Sequence, residues 1–173
     1  MYDVLLSTGR FFICDAPVMK KFFSSKSKPI ASSPSESSSV KSAAPMTNDR
    51  LDGLIRQASK TVKGDTGYWQ FNIGGRDILV ITDARHNRMR IMSPVAAQDQ
   101  LDKAELIRLL EANFASALDS KYALRDGTLW SVFTHPLAEL TDEQFLDCMA
   151  QVANLADNFG RSYASSNLTF GGG

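Results

Sequence analysis

Hydrophobic residues recur at two different spacings along the chain, and the changes of spacing predict the order of its elements. In residues 46–62 the apolar side chains share one face at helical spacing. They are Leu51, Leu54, Ile55, Ala58 and Val62. Thr47 is placed to cap this segment, with Met46 and Leu51 as the two sides of a hydrophobic staple. We therefore predict a first helix, closed by Gly64.

Alternation of apolar and polar positions then replaces the helical spacing. Residues 68–73 alternate strictly, residues 76–84 are rich in β-branched side chains, and residues 88–96 form a third segment of the same kind. Short turns at residues 74–75 and 85–87 separate them. We predict three consecutive strands in an antiparallel meander, with the second strand central in its sheet.

Two further helices and a hairpin complete the pattern. In residues 102–119, Asp102 and Glu105 are placed as a capping box, and the apolar face includes Leu106, Leu110 and Phe114. Residues 121–137 are typical of two strands joined at Asp126-Gly127. Residues 141–163 predict a last helix, capped by Thr141 with Gln144. The order of elements predicts an α+β fold, with a five-stranded antiparallel sheet covered on one face by helices.

Composition divides the chain into three parts. Residues 1–45 are Ser-, Lys- and Pro-rich and hold too few large apolar side chains to offset their ordering entropy. We predict a disordered leader there, a folded domain at residues 46–166 and a flexible tail at residues 167–173. Two alternatives stay open for the leader: a targeting segment, or a start placed too early, with Met19 or Met46 as the true one.

Charge and cysteine content exclude several classes of protein. Nineteen basic and nineteen acidic residues give a net charge of zero, which does not favour nucleic acid or an anionic membrane as a partner. The leader is basic, and the remainder carries three net negative charges. No apolar run approaches the roughly 18 to 20 residues of a membrane helix. Cys14 and Cys148 have no metal-ligand spacing, and we expect a reducing, cytoplasmic location.

The densest group of charged side chains is DARHNRMRIM, at residues 83–92. Its three arginines and His86 have the chemistry to bind phosphate or carboxylates. Strand alternation instead places Arg88 and Arg90 on a solvated face, with Asp83 across the turn as an ion-pair partner. We favour this second interpretation, since no aromatic ladder accompanies the group.

The other residues with chemical potential have simpler structural explanations. His135 ends a strand without an evident orienting carboxylate, and Cys148 falls on the inward side of the last helix. Gly74 and Gly75 join strand to strand, so they do not aim helix amides at a phosphate. We predict no catalytic residues, no metal and no cofactor.

The element order resembles the type III secretion chaperone-like fold and, within it, the YbjN-type bacterial family. The similarity covers residues 46–166 and is carried by the strand RMRIMSPV, the helix end LLEANF and the strand LWSVFTHPL. It implies a bacterial cytoplasmic protein, often dimeric, whose relatives bind secreted effectors or have regulatory roles, and it implies no enzyme activity. Secretion chaperones are more acidic than this domain, which favours a broader adaptor role.

We therefore predict a non-enzymatic module that binds a partner protein or peptide, forms a homodimer, and binds neither nucleic acid nor membrane. The predicted contact residues, on strands of a sheet covered on one side only, are Trp69, Phe71, Arg88, Arg90 and Trp130. One alternative is a regulatory domain that senses a small ligand between sheet and helices. A less favoured one is a small hydrolase that uses Cys148 or His135.

Overall fold

The structure, a computed structural model, describes residues 44–168. Its helices and strands, in chain order, are α1 (Asn48–Ala58), β1 (Val62–Asp65), β2 (Tyr68–Ile73), β3 (Arg76–Asp83), β4 (Arg88–Ala97), α2 (Lys103–Ala115), β5 (Lys121–Arg125), β6 (Thr128–His135) and α3 (Asp142–Asp157). A short 3-10 helix, Gln98–Gln100, precedes α2. The predicted leader and tail fall almost wholly outside the described residues and stay predictions.

All of these strands belong to one antiparallel sheet with the order β1-β2-β3-β4-β6-β5. The predicted α+β fold, the meander and the second hairpin are confirmed. The predicted count of five strands is wrong, because the sheet has six. β4 pairs with β6 rather than with β5, so the second hairpin joins the sheet through its second strand.

The additional strand is β1, which the sequence pattern assigned to the first helix and its turn. α1 ends at Ala58, and Ser59 is already extended. Val62 then pairs with Phe71 across β1 and β2, and it packs at the edge of the core. Val62 continues the helical spacing of the residues before it, so its apolar character fits either element.

The core lies between one side of the sheet and two of the helices. Alternate residues of β2, β3, β4 and β6 point into it, and α3 lies across β4 and β6. The largest fully buried side chains include Trp69, Phe145, Leu51 and Ile78. A smaller cluster joins α2 to β5 and to the end of α3. The helices therefore cover a single side of the sheet.

The helix entries follow the predicted capping with one exception. The Thr47 and Thr141 hydroxyls accept from backbone amides three residues on, and Thr141 forms a complete capping box with Gln144. Asp102 caps α2 by accepting from the Glu105 amide at 2.7 Å. The Glu105 side chain does not accept from the Asp102 amide, so the predicted capping box is incomplete. The Glu105 carboxylate instead accepts from Arg108 and from the Tyr163 hydroxyl.

Two predicted helix features need correction. α2 packs against β5, and its buried residues are Leu109 and Ala112. Leu110 and Phe114, predicted to face the core, are 69% and 85% exposed. α3 ends at Asp157 rather than continuing to residue 163, because the chain turns after it and Tyr163 takes a positive φ of 53°.

Candidate protein-binding face

The side of the sheet opposite the core carries no helix among residues 44–168. We call it the open face. It is formed by the side chains that alternate with the core residues along β3, β4, β6 and β5. Its central members are Leu79, Ile81, Arg88, Arg90, Met92, Trp130, Val132 and Arg125. These residues hold the best candidate site that the described chain offers.

An apolar row crosses the middle of the open face. Leu79 pairs with Met92 across β3 and β4, and Met92 pairs with Val132 across β4 and β6. All three side chains are half-buried. Ile81 lies beside the row at 37% exposure, and Trp130 lies beside it on β6. A contiguous apolar row facing water is typical of a surface that a partner covers.

Basic side chains flank this row. Arg90 lies next to Met92 along β4, between Ile81 and Thr134 on the neighbouring strands, and its Nε donates to Thr134 Oγ1 at 3.4 Å. The Nη1 of Arg88 donates to the Asn87 carbonyl at 3.2 Å. Within residues 44–168, no carboxylate oxygen lies within 4.0 Å of either guanidinium. Both arginines keep donors free for an anion.

Asp83, predicted as the partner of one of these arginines, binds His86 instead. Its Oδ2 lies 2.7 Å from His86 Nδ1, and its Oδ1 accepts from the His86 amide at 3.0 Å. These hydrogen bonds lower the pKa of Asp83 below its ordinary value. The stretch DARHNRMRIM is therefore a hairpin turn followed by the first half of β4, with Asp83 used inside the turn.

The tip of the β5–β6 hairpin brings a third arginine to the open face. Arg125 is the register partner of Thr128, whereas Arg90 is the register partner of Thr134, about 20 Å further along an extended strand. Arg90 and Arg125 nevertheless both line a cavity of about 410 Å³ and an adjoining one of about 460 Å³. Both arginines therefore border the same part of the open face.

The predicted contact residues divide between the two sides of the sheet. Trp69 and Phe71 lie in the core at 0% and 3% exposure, and Trp69 Nε1 donates to Asp52 Oδ1 at 2.9 Å. They are not available to a partner, because their strand positions point towards the helices. Arg88, Arg90 and Trp130 do lie on the open face.

The sequence interpretation did not include the remaining members of the open face as contact residues. Arg125 was treated only as part of a turn, and no local signal shows that it borders the same cavities as Arg90. Leu79 and Val132 sit in segments that are apolar on both sides of the strand, where alternation does not distinguish the two sides. Met92 alternates onto the same side as Arg88 and Arg90, and this shared side was the available signal.

The residues weighed for catalysis are engaged elsewhere. His135 Nδ1 lies 2.7 Å from the Pro136 carbonyl, and its ring stacks on Phe133, as a locally bonded strand-end histidine does. Cys148 is 6% exposed, and burial raises its pKa to about 12, with the charges of Asp119 and Asp147 adding to the effect. A thiol with that pKa stays protonated at neutral pH and is a poor nucleophile.

Residues 44–168 contain no group of three or more His, Cys, Asp and Glu side chains arranged to hold a metal ion. Nor does any helix in that range combine the length and the apolar character needed to cross a membrane.

A second apolar surface lies on α2. Ile107, Leu110 and Phe114 follow one another at helical spacing and are 48%, 69% and 85% exposed. We call these three residues the α2 surface. Beside it, between α2 and β5, is a cavity of about 260 Å³ whose lining includes Leu106 and Leu124.

Comparison with known proteins identifies the fold. No protein-family model matches the chain, and no curated protein matches it in sequence. A chain of the ExsC–ExsE complex is similar in structure, with a TM-score of 0.52, 16% identity, and coverage of 68% of this chain and 96% of that one. A chain of the HopA1–SchA chaperone–effector complex is also similar, with a TM-score of 0.50, 14% identity, and coverage of 63% of this chain and 88% of that one. The predicted chaperone-like fold is confirmed, and membership of the YbjN-type family stays a prediction.

Proposed function

We propose that the protein is a non-enzymatic binding module, a chaperone-like or regulatory adaptor whose open face binds a partner protein or peptide. The observation that carries the proposal is the row of Leu79, Met92 and Val132, three half-buried apolar side chains on the helix-free side of the sheet. Covering such a row releases water from apolar surface and stabilises the complex.

The fold supports this proposal. The two similar solved structures are complexes, one described as ExsC–ExsE and the other as a chaperone–effector pair. Identities of 16% and 14% relate the folds alone. The proposed role therefore depends on the side chains of this sheet, and the fold makes a protein partner the first class to test.

We also propose that the protein forms a homodimer through the α2 surface. Leu110 and Phe114 are the most exposed large apolar side chains of the helices. A second copy that presents the same residues about a twofold axis buries both stripes at once, as a self-complementary interface requires. This arrangement leaves the open face accessible, since α2 packs against β5 at the sheet edge.

The same proposal assigns the protein to the cytoplasm, with no cofactor and no nucleic-acid or membrane partner. The absence of an enzymatic role is supported by the protonated, buried state of Cys148 and by the local bond of His135. The balanced charge of the whole chain supports the absence of a nucleic-acid partner.

One observation favours a second candidate, a regulatory domain that senses a small ligand. The larger open-face cavity, about 460 Å³, falls within the range of small-molecule sites. Its lining combines the apolar Met92 and Trp130 with the guanidinium of Arg90. A small organic anion would suit this combination.

Chemical crosslinking of the full chain in its native cell, followed by mass spectrometry, separates the two candidates. The binding-module proposal predicts a protein adduct beyond the chain's own dimer. The ligand-sensing candidate predicts no such adduct, together with a rise in melting temperature of the purified chain when a metabolite mixture is added. That second pattern would replace the proposed function.

A further inference from the structure

The open face has a charge asymmetry that specifies the chemistry of its partner. Three arginines border its two cavities, namely Arg88, Arg90 and Arg125. Two aspartates also line them, and each is already occupied. Asp83 is bonded to His86, and Asp126 forms an ion pair with Arg125 at 3.0 Å.

The ion pair between Arg125 and Asp126 is easily exchanged. Their side chains are 72% and 86% exposed, and a pair so exposed contributes little free energy. Within residues 44–168, the Arg90 guanidinium makes a single weak hydrogen bond, to the Thr134 hydroxyl at 3.4 Å. The guanidinium groups of Arg90 and Arg125 therefore offer donors to carboxylates without the loss of a strong internal contact.

The apolar row lies between these two arginines. Leu79 and Met92 line the larger cavity together with Arg90 and Arg125, and Val132 continues the row across β6. An anion without apolar groups would leave the apolar row exposed to water. An apolar segment without carboxylates would leave the two arginines without an anionic partner. A segment that carries both meets both requirements.

We infer that the open face binds a peptide segment in which carboxylates accompany large apolar side chains, with Arg90 and Arg125 as the carboxylate-binding residues. The inference rests on the proposed function and names the chemistry of its partner. A peptide fits better than a compact ligand because Arg90 and Arg125 border two adjoining open cavities rather than one enclosed site. Arg88 also lines the smaller cavity and adds a third guanidinium to its border.

The test uses the full chain and a displayed library of random 12-residue peptides. The most enriched peptide is synthesised with a fluorescent label, and a counterpart is made with Asn and Gln in place of Asp and Glu. Binding of both is measured by anisotropy for the wild-type chain, for Arg90→Gln/Arg125→Gln, and for the control Lys103→Gln/Arg161→Gln, which removes two exposed positive charges elsewhere. Unchanged circular dichroism and melting establish that each variant folds, and the single Arg125→Gln variant provides a milder change.

We expect enriched peptides that combine Asp or Glu with large apolar residues. The double variant should bind the acidic peptide about five- to tenfold more weakly, and the amide counterpart should lose a similar factor against the wild-type chain. The control should stay within about twofold of wild type. The difference between wild type and double variant should shrink as salt is added.

Other outcomes overturn the inference. Enriched peptides that lack acidic residues, or that bind the double variant equally well, contradict it while the proposed function stands. Binding of phosphatidylserine vesicles in place of any peptide, lost in the double variant, would assign the face to a lipid surface. If neither peptides nor vesicles bind, the inference fails, and crosslinking in the native cell then decides the proposed function separately.

Discussion

Leu79 and Met92 are register partners across β3 and β4, on the side of the sheet that no helix of residues 44–168 covers. Such a cross-strand pair stabilises the sheet by about 0.2 to 1 kcal/mol. Both side chains remain partly exposed, so a partner that covers them would gain free energy from burying the remaining apolar surface. The same strands carry core residues on their other side. A sheet residue therefore either packs in the core or belongs to the open face.

The two tryptophans test this division. Trp69 is fully buried and donates to Asp52, whereas Trp130 is half-buried on the open face. We expect Trp69→Phe to lower the free energy of unfolding by about 1 to 3 kcal/mol, through lost packing and a lost hydrogen bond. Trp130→Phe should cost less than about 1 kcal/mol. Urea denaturation measures both free energies of unfolding. A larger decrease for Trp130→Phe than for Trp69→Phe would contradict the placement of Trp69 in the core and of Trp130 on the open face.

Two glycine substitutions test β1, the strand that the sequence pattern did not predict. Gly64 in β1 has a positive φ of 84°, and a Cβ added there would overlap the carbonyl oxygen of Tyr68. Gly64→Ala should therefore destabilise the chain by about 2 kcal/mol or more. Gly53, within α1, has open space around it, so Gly53→Ala should stabilise by about 0.5 to 1 kcal/mol.

Thermal and urea denaturation of these two variants give the comparison directly. If Gly64→Ala were neutral or stabilising, β1 would not pair with β2 as described, and the helical assignment of this segment would regain support. The Gly53→Ala variant serves as its control, because both substitutions remove the same flexibility from the unfolded chain.

The proposed dimer predicts a change of mass when the α2 surface is made polar. Leu110→Asp and Phe114→Asp each place a carboxylate in the proposed interface, where its desolvation is costly. We expect a dimer for the wild-type chain and a monomer for both variants in size-exclusion chromatography with light scattering. Leu146→Asp, which changes a 43% exposed leucine on α3, should remain dimeric. A monomeric wild-type chain, or a dimer that survives both changes, contradicts this interface.

The buried thiol predicts a dependence of stability on pH. Cys148 loses its proton near 9.0 when unfolded and near 12 when folded, because burial raises its pKa. Between these values the unfolded chain holds fewer protons than the folded one, so the free energy of unfolding falls as the pH rises. In a Cys14→Ser background this fall should be steeper with Cys148 than with Cys148→Ala. Urea denaturation between about pH 8 and pH 10 measures both slopes, and equal slopes would show that the thiol is not buried.

The sequence predicted the elements that have strong local signals. Alternation around Trp69 and the capping residues Thr47 and Thr141 identify strands and helix entries, since those signals involve neighbours in the chain. Val62 was misassigned because a single apolar residue at helical spacing also suits an edge strand. Tertiary pairing with Phe71 decides between the two, and no local pattern contains that information.

The candidate site was less predictable than the fold, for a physical reason. Whether Trp69 or Trp130 faces a partner depends on which side of the sheet the helices cover, and alternation defines two sides without saying which is which. Arg125 and Arg90 line the same two cavities although they lie on different strands. Which side chains border one cavity depends on how all the strands of the sheet are placed, so this could not be inferred from the spacing of the two arginines in sequence.

The most direct measurement of the central claim is position-specific photocrosslinking in the native cell. A benzoylphenylalanine residue is placed at position 132, on the open face, or at position 146, on the exposed side of α3. The account predicts a defined protein adduct from position 132, with an acidic and apolar crosslinked peptide, and a weaker adduct when Arg90→Gln/Arg125→Gln is added. No adduct from position 132, or equal adducts from both positions, would contradict the claim that the open face is the binding surface.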